Sequence, residues 1–97
     1  MTQELSLASR VRISDDVIFQ KLHEDAVLLN LKTGVYFGLD PVGVRIWQLL
    51  ATHELLSAVA DVVVAEYDVA MDTCATDLLA LVRDMERQSL ITLSCPT

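Results

Sequence analysis

The chain changes its hydrophobic rhythm near its middle. Val17–Leu22, Ala26–Leu31 and Val35–Leu39 are short apolar runs rich in β-branched and aromatic residues, which is the composition of strands. His23-Glu24-Asp25 and Lys32-Thr33-Gly34 separate them. Polar connections this short predict antiparallel hairpins, because parallel strands need a long crossover. Gly34 is available for a positive φ. Arg10–Ile13 is a candidate edge strand, and residues 1–9 read as a loose arm.

From Asp40 the period becomes helical. Asp40 is placed to cap, and Pro41 suits a first helical position. Val42, Ile46, Leu49 and Leu50 follow at helical spacing with Trp47 beside them. Thr52-His53 breaks this helix and can cap the next. A second helix over 54–67 carries a stripe of Leu55, Val59, Val62, Val63 and Tyr67. Asp68–Met71 is a connector, and Asp72 or Thr73 is the expected cap of a third helix. Leu78, Leu81, Val82 and Met85 share one face of it, and it ends near Gln88–Ser89. Leu90–Leu93 is a short strand fragment or a strap over the core. Strands first and helices second predict an α+β domain over residues 10–93: a small antiparallel sheet packed on three helices.

Composition sharpens this picture. At 97 residues and 10.7 kDa, one domain is expected. Fourteen acidic against seven basic side chains give a net charge of −7. That balance argues against a partner bound mainly through phosphates and against docking on anionic lipid. The first fifteen residues hold no apolar signal segment, and no hydrophobic run approaches the length of a membrane helix. Cys74 and Cys95, 21 positions apart, form neither a metal-ligand spacing nor a disulfide framework. Their isolation points to a reducing, cytoplasmic setting.

Candidate chemistry is sparse. His23 and His53 lie in predicted turns, and no P-loop, HExxH or CxxC is present. Cys74, near a helix start, is the one candidate nucleophile, and a small buried residue is the plainer reading. No metal or cofactor is expected. The anomalous feature is Val35-Tyr36-Phe37-Gly38-Leu39, an aromatic, glycine-containing strand. If one of its sides is unpaired, it invites an added peptide strand, and Gly38 allows close approach.

The run LLNLKTGVYFGLDPVGVRIWQLL over Leu28–Leu50, with the later ELLSAVADVVVAEYDV and DLLALVRDMERQSLITL, resembles the PqqD-like proteins. These are the recognition elements for ribosomally made, post-translationally modified peptides. The YFGLDPVGVRIW version looks closer to the stand-alone elements of lasso-peptide clusters than to the pyrroloquinoline quinone protein itself. The resemblance spans roughly residues 10–93. It implies a winged-helix-like fold and a non-enzymatic role, in which the protein binds the leader segment of a precursor peptide and delivers it to modifying enzymes such as a leader peptidase. It further implies that the leader adds beside the strand Val35, Tyr36, Phe37, Gly38 and Leu39. The third helix would wall the cleft with Asp77, Leu78, Leu81, Val82 and Met85, and with Arg83. Register decides which alternate residues face the peptide. Ile46 and Trp47 read as core. Two other classes fit parts of the pattern: a winged-helix DNA-binding regulator, and a small thiol enzyme subunit using Cys74.

Overall fold

The three apolar runs pair in chain order. A computed structural model describes residues 6–94. Its elements are β1 (Arg10–Ile13), β2 (Val17–Leu22), β3 (Asp25–Asn30), β4 (Tyr36–Leu39), α1 (Pro41–Thr52), α2 (Leu56–Tyr67), α3 (Met71–Arg87) and β5 (Ile91–Ser94). β2, β3 and β4 form an antiparallel sheet in that order. His23 turns the first hairpin with a left-handed φ of 58°, and Gly34 supplies φ 74° to the second. The fold is α+β: the sheet lies against the helices, and Ala26, Leu28 and Leu39 are buried between the layers.

β3 stops one residue earlier than expected, and Leu31 is 58% exposed. Asn30 causes this. Its Oδ1 accepts from the N–H groups of Lys32 and Thr33, and its carbonyl accepts from Gly34. The side chain thus starts the turn itself. It is buried, and its Nδ2 donates to the carbonyls of Gln88 and Ser89 at 3.0 and 3.1 Å. One asparagine ties the β3–β4 turn to the end of α3.

The helices follow the predicted periods, with corrected starts. Asp40 caps α1, accepting from the Gly43 N–H at 2.7 Å, with Pro41 next. Gly43, Val44, Ile46, Trp47, Leu49 and Leu50 face inward, while Val42 is exposed. α2 begins at Leu56 with no side-chain cap, so Thr52-His53 does not cap it. Instead the Leu56 and Ser57 N–H groups donate to the carbonyls of Ser9 and Leu7, at 3.1 and 2.9 Å. Residues 6–9, expected as part of a loose arm, are therefore tied down, and Ser9 is buried; residues 1–5 lie outside the described residues. The buried stripe of α2 is Leu56, Val59, Ala60 and Val63, with Tyr67 exposed.

α3 begins at Met71 after Ala70, which accepts the Cys74 N–H through its carbonyl. Asp72 lies inside the first turn, where its charge complements the helix dipole. The helix ends at Arg87 as the pattern predicts. β1 is not an edge strand of the main sheet. It pairs antiparallel with β5, from Arg10 opposite Ser94 to Ile13 opposite Ile91. This ribbon buries Val11, Leu90 and Ile91 and adds a second small sheet to the core.

Candidate peptide-binding site

β4 pairs only with β3, so one of its sides is open among the described residues. The pairing sets which groups that side presents. In an antiparallel ladder, opposed residues alternate between exchanging hydrogen bonds and pointing them outward. The Asn30 N–H donates to the Val35 carbonyl at 3.0 Å. That marks Asn30/Val35 as a bonding pair, and so Leu28/Phe37 and Ala26/Leu39 as well. Tyr36 and Gly38 therefore aim their N–H and C=O groups at the open edge. Their side positions lie on the sheet's outer face, with Tyr36 70% exposed and free space where a Gly38 Cβ would stand. Phe37 and Leu39 point toward the core, half-buried and buried respectively.

On α3, Leu78, Val82 and Met85 are core residues, each no more than 1% exposed. Leu81 is half-buried against that core, and Asp77 and Arg83 are exposed. The candidate set thus divides. Val35, Tyr36, Phe37, Gly38, Asp77, Leu81 and Arg83 offer surface; Leu39, Leu78, Val82 and Met85 hold strand and helix in place from beneath.

The structure adds a groove that the sequence pattern does not isolate. It encloses about 280 Å³ between the start of α1, the end of α2 and the start of α3. Val42, Ile46, Val63, Tyr67, Val69 and Leu78 give it an apolar lining, with Thr73, Cys74 and Asp77 on the α3 side. Val42 lies three residues beyond the end of β4, so one wall of the groove belongs to the helix that follows the open strand in the chain. Val42 sits on the apolar stripe of its helix and reads as core in the sequence. Only the packing of three helix ends shows that this stripe runs out into solvent.

Two electrostatic features flank the groove. Arg45 of α1 meets Glu66 of α2 in a two-pronged bond, Nε to Oε1 at 2.8 Å and Nη2 to Oε2 at 2.6 Å. The pairing raises the Arg45 pKa and lowers that of Glu66, in both cases chiefly through the hydrogen bond. Cys74 is 5% exposed, with its thiol 3.8 Å from the Ala60 carbonyl. Burial first, and the Asp77 charge second, push its pKa up. A thiol so placed stays protonated and packs as a small apolar residue. Cys95 lies outside the described residues. No group of three or more potential metal ligands clusters among the described residues, and no helix there is long and apolar enough to cross a membrane.

Comparison with known families decides what this architecture is. The model of coenzyme PQQ synthesis protein D (PqqD) matches residues 25–91, from β3 into β5. The chain belongs to the PqqD family. The matched span contains the open strand, all three helices and the Asn30 clip; β1 and β2 precede it. Among solved structures, TbiB1 in complex with the TbiA(beta) leader peptide is 40% identical, covering 82% of this chain and 93% of that one, with a TM-score of 0.77. Lasso peptide synthetase B1 complexed with the leader peptide shares the fold at 23% identity and a TM-score of 0.70, over 86% of this chain and 98% of that one. No curated protein sequence matches the chain.

Proposed function

We propose that this PqqD-family chain binds the leader segment of a ribosomally made precursor peptide, as a strand added to β4 against α3. The observation that carries this is the open edge, where Tyr36 and Gly38 offer paired donors and acceptors to an added strand. The TbiB1 complex, whose chain is 40% identical, supports the ligand class. The leader of a lasso-peptide precursor is the expected ligand. The chain itself contributes binding rather than catalysis and hands the precursor to a modifying enzyme such as a leader peptidase. A precursor fresh from the ribosome is met in the cytoplasm.

The other two readings find less support. Arg83 and Arg87 are the cations on α3, against Asp72, Asp77, Asp84 and Glu86, and Arg87 lies 3.8 Å from Asp84. That face lacks the cationic density that phosphate contacts need. A thiol enzyme would need an accessible thiolate, and Cys74 is buried with a raised pKa.

The test is a titration of a labelled lasso-precursor leader by fluorescence anisotropy. Wild type should bind below about 100 μM, worth roughly −5.5 kcal/mol. Leu81→Glu should weaken binding by about 2–3 kcal/mol, through lost apolar contact and a carboxylate pressed against the peptide. Asp61→Lys, on the exposed face of α2, should bind like wild type. Equal binding by both folded variants rules out the α3 wall.

A further inference from the structure

Among the described residues, Asp77 is the only charged side chain lining the groove between the three helix ends. The remaining walls are apolar apart from the Thr73 hydroxyl, the Cys74 thiol and the Tyr67 phenol. Of the neighbouring carboxylates that do not line the groove, Glu66 is engaged by Arg45 and Asp40 by the Gly43 N–H, while Asp68 and Asp72 lie in the connector and first turn before Thr73. Among the described residues, no cation stands within ion-pair distance of Asp77. A carboxylate without a cation, on the lip of an apolar cleft, is a charge for which a ligand can supply the complement. The net charge of −7 would also steer a cationic peptide toward the chain.

We propose that Asp77 sets the sequence selectivity of this groove: it selects a peptide segment with one large apolar side chain and a Lys or Arg two positions away. This rests on the strand-addition reading and deepens it. The spacing follows from strand geometry. A peptide paired to β4 and continued past Val42 remains extended, and residues two apart point to the same face about 7 Å apart. When the apolar side chain fills the groove, its neighbours at two positions on either side turn toward the same wall. There the long stem of Lys or Arg brings its charge to Asp77 while its methylenes cover the apolar rim. At about 280 Å³ the groove has room for one large apolar side chain as an anchor.

The experiment is a selection from a randomised twelve-residue peptide library displayed on phage, against wild type, Asp77→Asn, Asp77→Lys and Gly38→Pro. Wild type should enrich an apolar residue paired with Lys or Arg at a spacing of two. Asp77→Asn should keep the apolar preference and lose the cationic one, with synthetic versions of the selected peptides binding it about 5- to 10-fold more weakly. Asp77→Lys should favour Asp or Glu at that position. For wild type, the cationic advantage should shrink in 0.5 M NaCl, as expected for a rim charge. Identical selections by wild type and Asp77→Asn would overturn the assignment of Asp77 and leave strand addition standing, provided Gly38→Pro binds the selected peptides at least about tenfold more weakly. If Gly38→Pro selects as wild type does, or wild type selects no peptide, strand addition fails and the inference falls with it.

Discussion

Gly38→Pro separates strand addition from every other way of holding a peptide. The Gly38 N–H faces the open edge, so β3–β4 pairing does not use it. Proline is tolerated in an edge strand where its missing N–H would face solvent. Phe37 before it is already extended, as a residue preceding proline prefers. The folded domain should therefore keep its melting point within a few degrees. The bound peptide, by contrast, loses a main-chain hydrogen bond, a net loss of about 0.5–1.5 kcal/mol. The proline ring also occupies the place of the incoming carbonyl. Leaving that carbonyl unpaired costs about 1–3 kcal/mol more. The sum, roughly 1.5–4.5 kcal/mol, predicts leader binding weaker by about tenfold to about two-thousandfold. Calorimetric titration measures the affinity, and circular dichroism checks the fold. Gly38→Ala is the control: its Cβ enters open space and its N–H survives, so binding should change by less than about threefold. Hydrogen exchange gives an independent reading, with the Tyr36 and Gly38 amides slowing when leader is added. A folded Gly38→Pro protein that binds leader as wild type does would refute strand addition on β4.

Two further outcomes test the frame that holds the site. Asn30→Ala removes the two bonds donated to Gln88 and Ser89 and the two accepted from Lys32 and Thr33; with these backbone groups left part-buried and unpaired, urea unfolding should show a loss of about 2–4 kcal/mol. Because burial raises the Cys74 pKa, the folded state holds that proton more tightly than the unfolded chain; the stabilisation is full below the ordinary thiol pKa and is lost as pH rises through the folded-state value, so unfolding free energy should fall above about pH 8.5, and less so in Cys74→Ala.

Most of the elements are legible locally. Alternating and helical periods, Asp40-Pro41 and the turn at Gly34 depend on neighbours a few residues apart, and the structure places them where the pattern does. The strand of interest is legible for the same reason: two aromatics and a glycine in one short run stand out without a fold. The features that local pattern leaves open are facts about distant partners. β1 and β5 pair across about eighty residues, which no local period encodes. α2 takes its N-terminal partners from the carbonyls of Leu7 and Ser9, and backbone carbonyls leave no mark on sequence, so the side-chain cap expected at Thr52-His53 is absent. Asn30 reads as an ordinary strand residue until the turn after α3 brings the Gln88 and Ser89 carbonyls to within 3.0 and 3.1 Å of its amide. The binding edge shows the same division. Sequence marks Val35–Leu39 as unusual, but a one-residue change of register would exchange its bonded and open groups. The bond from Asn30 to the Val35 carbonyl sets that register, leaving Tyr36 and Gly38 outward. The groove lined by Val42, Val63 and Leu78 exists because three helix ends leave space between them, a property of packing that no single segment carries.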